Sequence, residues 1–171
     1  MTNSRYAVTE TPVGQALMAF TDTGMIALRL GERDVEAELA GLSHELGEMP
    51  ALDPQAAASV IAQLDEYFEG ARRDFDIPLD WSLTRGFHRD ALQAICDIPY
   101  GETASYGEVA ITAGRPGAAR AVGTACRLSP FSLVVPVHRV VRSDGTIGEY
   151  GARPDVKRFL IEHENPGGLP R

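Results

Sequence analysis

Residues 104–141 read ASYGEVAITAGRPGAARAVGTACRLSPFSLVVPVHRVV, and the architecture of the chain turns on how this stretch is divided. Ala104 to Ala113 reads as one helix and Ala118 to Leu128 as a second. Between them, Gly114-Arg115-Pro116-Gly117 is a run of turn residues. Two short helices about a glycine-containing turn form a helix-turn-helix candidate, although many helical domains contain such a pair. After Ser129-Pro130, Phe131 to Val141 is strongly apolar and reads as a strand interrupted at Pro136.

Toward the C-terminus, Ser143-Asp144-Gly145 is a tight turn and Asp155 to Glu164 a closing helix. Toward the N-terminus, Thr84 can cap a helix through FHRDALQAICDI, which Pro99-Tyr100-Gly101 ends. Residues 74–81, DFDIPLDW, alternate like an edge strand, where Pro78 is tolerated. Asp53-Pro54 supplies an N-cap and a first helical residue. The helix that follows, AAASVIAQLDEYFEG, has Ile61, Leu64 and Phe68 as its apolar stripe and Gly70 as its stop. Asp34 to Leu46 has helical spacing. YAVTETPVGQALMAFTDTGMIALRL, at the start, is broken by Pro12-Val13-Gly14 and Asp22-Thr23-Gly24 into a short antiparallel meander. The predicted architecture is therefore an α/β N-terminal domain over 1–82, a small antiparallel sheet plus helices, and a mostly helical C-terminal domain over 83–171 containing the helix-turn-helix.

The 171 residues are enough to bury a real core, and 44% apolar with 23% charged is the usual globular mix. No apolar run approaches the roughly 20 residues that span a bilayer. The opening MTNSRYAVTETPVG lacks a basic segment followed by an apolar one, so no secretory signal is expected and a cytoplasmic location is. Cys96 and Cys126 form no CxxC pair and have no histidine at ligand spacing, so neither a metal nor a cofactor is expected. Cys96 fits a buried helix face as a small hydrophobe. The net charge of −8 is uneven: residues 1–100 carry −10 and residues 101–171 carry +2. Between Gly114 and Ser143 stand five arginines (Arg115, Arg120, Arg127, Arg139, Arg142) and no acid. Such a local basic face can meet a phosphate backbone, or be no more than a solvated surface.

IPYGETASYGEVA, GRPGAARAVGTACR, PVHRVV, DGTIGEYG and KRFLIEHE, in that order and at that spacing, resemble successive segments of the O6-alkylguanine-DNA alkyltransferases. The strong match covers about residues 84–165. The family signature is Pro-Cys-His-Arg, and here the tetrapeptide is Pro136-Val137-His138-Arg139. The resemblance implies a cysteine that takes the alkyl group from guanine O6, chemistry that needs a thiolate. Valine has no lone pair and no ionisable proton. The chain thus resembles the alkyltransferase-like subgroup, which binds alkylated DNA and flags it for excision repair.

Further roles follow from the resemblance. Arg120 matches the finger that replaces an extruded base. Tyr106 matches the tyrosine that contacts the flipped guanine, and Tyr150 one that lines the base pocket. Gly151 would offer its backbone N–H to guanine O6, and the carbonyls of Val137 and Val140 would accept from the exocyclic amine. Arg115 and Arg127 are expected on DNA. His138 and Glu164 match the relay that removes the thiol proton; beside a valine they become a structural pair. Arg139 is expected to tie its loop to a carboxylate or carbonyl. Ser129 replaces a hinge asparagine and makes fewer hydrogen bonds. Cys126 is a conceivable but poorly aimed substitute nucleophile.

The expected partner is double-stranded DNA containing O6-alkylguanine, with nucleotide excision repair proteins downstream and the protein acting as a monomer. One alternative is a cysteine-to-valine form, engineered or recently lost, of an active methylated-DNA–protein-cysteine methyltransferase. Another is a transcriptional regulator that reads the major groove, which leaves Tyr150 and Gly151 unexplained.

Overall fold

The computed structural model describes residues 3–32, 34–148, 150 and 153–168. It divides into two compact units, Met1–Leu83 and Thr84–Arg171. In the first unit, β1 (Arg5–Thr11), β2 (Gly14–Phe20) and β3 (Met25–Glu32) form the antiparallel meander. A two-residue strand, β4 (Ala51–Leu52), joins the far edge of β1 in parallel, giving the order β3-β2-β1-β4. The sheet is therefore mixed, not purely antiparallel. A chain that has passed through a helix returns beside β1 in the same direction, and only two residues long, which no periodicity reveals. β2 is central, so Leu17 and Met18, on opposite faces, are both fully buried.

Two helices close this unit. Asp34 caps α1 (Val35–Leu46), its side chain accepting from the Ala37 N–H. Leu42 of α1 meets Ala19, Ile26 and Ala27 of the sheet. Asp53 and Pro54 open one tight helical turn that leads into α2 (Ala58–Phe68). DFDIPLDW is not a strand: Leu79 makes one isolated bridge to Met25. Pro78 cannot donate, but its carbonyl accepts from the Met25 N–H, and Asp80 N–H donates back to Met25. Gly24 lets the two segments approach, since a Cβ there would stand 2.5 Å from the Pro78 oxygen.

The second unit is helical: α3 (Gly86–Ile95), α4 (Tyr106–Thr112), α5 (Ala119–Arg127) and α6 (Pro154–Glu164). Thr84 does not cap α3. Arg85 precedes the helix without a side-chain cap, and the Thr84 oxygens accept from the Arg89 guanidinium instead. Cys96 is not on a buried face either; α3 ends at Ile95 and leaves it exposed at the C-cap. Ala104 and Ser105 are not helical but form β5, paired in parallel with β6 (Val140–Val141). The long strand expected over Phe131–Val141 is absent. Leu133 adopts a left-handed φ of 66°, the chain bends, and Val137–Arg139 makes one helical turn before β6. Its apolar character reflects burial alone: Phe131, Leu133, Val135, Val137 and Val140 are all in the core.

Candidate functional site

Ser105 fixes the start of α4 by a capping box: its hydroxyl accepts from the Glu108 N–H, and Glu108 Oε2 accepts from the Ser105 N–H. Tyr106 is therefore set at the first helical residue, directly after β5. α5 follows after Gly114–Ala118 and packs on both α3 and α4. Its facing side is small, and even a Cβ added at Gly123 would meet the Tyr106 ring only at 3.9 Å. At the exit from α5, Ser129 accepts from the Phe131 N–H and donates to the Phe131 carbonyl, both at 3.1 Å.

A cavity of about 440 Å³ opens between these pieces. α4 contributes Tyr106; α5 contributes Arg120, Gly123, Cys126 and Arg127 among others; Val137, Arg142 and Tyr150 complete it. Val137 is 4% exposed, so its methyls touch the cavity while most of its surface is in the core. No carboxylate lines the cavity among the described residues, and three guanidinium groups do. That is the electrostatic signature of a surface that meets phosphate.

Behind Val137 lies a buried charged cluster. Glu164 Oε1 and His138 Nε2 are 2.7 Å apart. Arg139 donates twice to the same carboxylate, at 2.9 and 3.0 Å, and once to the Ile98 carbonyl at 2.7 Å. Burial would push the Glu164 carboxyl up, but the hydrogen bonds from His138 and Arg139 and the charge of Arg139 overcome it and hold it at about 2. Burial pushes His138 down, against the opposing pull of Glu164. The imidazole is thus neutral, and Nε2 carries the proton because it faces a carboxylate. Nδ1 is left buried with no hydrogen-bond partner among the described residues.

The structure brings Tyr106, Arg120, Arg127, Val137 and Tyr150 to one cavity. It does not bring Arg115 there: that guanidinium lies 5.1 Å over the Phe87 ring on α3. Val140 contributes no side chain to the cavity, and its carbonyl accepts from Lys157 Nζ. Gly151 falls outside the described residues. His138 and Glu164 stand behind the wall, and Ser129 bonds to Phe131 at the exit from α5. Sequence reasoning did not single out Arg142, which lines the cavity, or Lys157, which braces it. Arg142 was visible as one of five arginines without an acid; Lys157 was visible as the only lysine in the chain. Cys126 lines the cavity, but burial pushes its thiol up to about 12, against a weaker pull from Lys157. At neutral pH it is a thiol and a poor nucleophile.

Comparison with known proteins matches both units. Residues 4–81 fit the description "6-O-methylguanine DNA methyltransferase, ribonuclease-like domain", and residues 86–166 fit its "DNA binding domain". The chain is 38% identical to a methylated-DNA–protein-cysteine methyltransferase of Mycolicibacterium paratuberculosis, over 93% of this chain and 91% of that one. It is 33% identical to one of Methanosarcina barkeri, over 93% and 96%. Among solved structures, it is similar to the Mycobacterium tuberculosis O6-methylguanine methyltransferase, with TM-score 0.80, 36% identity and 97% of each chain covered. A Mycobacterium tuberculosis protein solved in complex with DNA matches with TM-score 0.79 and 35% identity, over 95% of this chain and 96% of that one.

Proposed function

The chain belongs to the 6-O-methylguanine DNA methyltransferase family, and on that premise we propose that it binds DNA containing O6-alkylguanine by base flipping, leaves the alkyl group in place and flags the lesion for excision repair. One observation carries this reading. The signature residue that abuts the cavity is Val137, a hydrocarbon side chain where the family motif has its cysteine. It can pack against an alkyl carbon but cannot form a bond to it.

The remaining wall supports binding. Arg120, at the mouth on α5, is suited to enter the stack as a base leaves it, a step that costs a few kcal/mol. Tyr106 and Tyr150 give π-faces for the extruded purine, each worth about 1–3 kcal/mol by analogy with single-strand binders. The two short helices α4 and α5 are the elements we assign to the DNA. The Val137 carbonyl already accepts from the Val140 N–H, yet a carbonyl has two lone pairs and can still take a guanine amine proton.

The test is binding to matched duplexes with guanine or O6-methylguanine, combined with intact-protein mass spectrometry. The expected result is tighter binding to the lesion with no gain of a methylene in mass. Equal affinities remove lesion recognition; a mass gain on the wild-type chain removes the binding-only role.

One observation favours a second reading, a cysteine-to-valine form of an active methyltransferase. The His138–Glu164 pair is intact, and the Nδ1 that would take a thiol proton is unpartnered among the described residues. Val137→Cys then regains stoichiometric methyl uptake. A variant that binds the lesion but takes up nothing rules that reading out.

A further inference from the structure

The guanidinium groups that line the cavity come from two places in the chain. Arg120 and Arg127 project from α5. Arg142 directly follows β6, on the segment that also carries Val137. Its backbone is pinned in a turn: its N–H donates to the Thr146 carbonyl and its carbonyl accepts from the Gly145 N–H, both at 2.9 Å. A Cβ placed on Gly148 would stand 3.7 Å from the Arg142 Cγ and 3.1 Å from the Tyr106 hydroxyl oxygen. The stem of Arg142 therefore runs near the Tyr106 hydroxyl, and both residues share the cavity wall with Val137.

The charge of Arg142 is poorly matched. Its guanidinium makes no hydrogen bond or ion pair among the described residues. Asp144 of the same turn feels it, but that carboxylate is exposed and already accepts from the Thr146 N–H and hydroxyl. Its other charged neighbour is the Lys157 ammonium, which repels it. A planar guanidinium fork fits a carboxylate or a phosphate with two parallel bonds. A guanine base is neutral, so an anion at Arg142 must come from what the base carries or from the DNA backbone.

We propose that Arg142 is a specificity-determining residue of the pocket, whose guanidinium reads the charge of the group on guanine O6. It favours adducts that end in a carboxylate over neutral adducts of the same size, and disfavours those that end in an ammonium. This rests on the lesion-binding reading above and names the class of lesion that the pocket takes best. Because Val137 forms no bond to the adduct, the adduct has only to fit and be held. A backbone phosphate is the competing source of the same chemistry. The shared wall with Val137 favours the adduct, since in that reading Val137 is the residue against the alkyl carbon.

The experiment uses duplexes that differ at one guanine: unmodified, O6-carboxymethyl, O6-carbamoylmethyl and O6-(2-aminoethyl). The carboxymethyl and carbamoylmethyl groups match in size and differ in charge. Dissociation constants are measured at pH 7 over a salt series for the wild type, Arg142→Gln and Arg142→Lys. We expect the wild type to hold the carboxylate adduct about tenfold more tightly than the amide, the order of one charge-assisted bond. It should hold the amine adduct more weakly than the amide, and both differences should shrink as salt rises. Arg142→Gln should bring the carboxylate-to-amide ratio near one. Arg142→Lys should keep part of it, because the charge remains and the fork is lost. Arg142 is exposed and its turn is held by backbone bonds, so both variants are expected to fold. A general loss of affinity cancels in the ratio. A wild-type ratio near one, or a full ratio in Arg142→Gln, overturns the role of Arg142 and leaves lesion binding standing. An equal loss on every duplex, with the salt slope reduced by about one, assigns Arg142 to a phosphate and overturns it too. A wild type that prefers no adduct over unmodified guanine overturns lesion binding and this inference with it.

Discussion

Glu164 holds two basic side chains at once, in the buried centre of the second unit. Replacing it by glutamine leaves the Arg139 guanidinium buried without its counter-charge. Breaking a buried pair from one side costs about 3–5 kcal/mol, so Glu164→Gln should lower the thermal midpoint well beyond the effect of a surface change. Acid should act in the same direction. Both His138 and Glu164 are lowered in the folded state. Each therefore contributes stability that is complete above its unfolded value and lost as pH falls. The loss begins below about 6.5 with His138 and continues below about 4.5 with Glu164. Thermal melts from pH 7 to 3 should show a progressive decline that Glu164→Gln flattens at the acid end. A variant that melts like the wild type at pH 7 contradicts this. Val137, His138 and Glu164 could all be read from the sequence because they sit inside fixed motifs. Lys157 opens the same motif as Glu164, but what it touches lies 17 and 51 residues away in the chain and shows only in the fold.

Elements were legible where their ends carry local chemistry. Asp53 announced its helix because a short oxygen-bearing side chain is what an open helix end needs, while Asp34–Leu46 was read from its spacing. The stretch Phe131–Val141 was misread because a buried apolar run looks the same as strand or as bend; only the left-handed Leu133 and the turn at Val137 distinguish them. β4 and β5, two residues each, are fixed by their partners and not by their own composition. The capping box at α4 has a testable effect. Ser105→Ala removes the bond to the Glu108 N–H and should cost about 1 kcal/mol. Because Tyr106 is the next residue, the same change should weaken lesion binding more than it weakens binding of unmodified duplex. Equal weakening of both would detach the cap from the pocket.

At the scale of the molecule, charge is divided between the units. Residues 1–83 carry −10 and residues 84–171 carry +2. The unevenness of charge was legible in the sequence, whereas the assembly of one cavity from α4, α5 and two loops came only through the family resemblance. If Arg127 touches a phosphate, Arg127→Gln should reduce the slope of log affinity against log salt by about one, for lesion and plain duplex alike. An unchanged slope would place that guanidinium off the backbone. The two thiols described above differ as sharply as the two units. Cys96 is exposed at the end of α3, while Cys126 is half-buried on the cavity wall and its thiol is pushed up to about 12. A maleimide dye at neutral pH should therefore attach at one place only, giving a fluorescent reporter on the second unit that leaves the cavity lining chemically untouched. The same asymmetry means that, in air, any covalent pairing of two copies will run through Cys96.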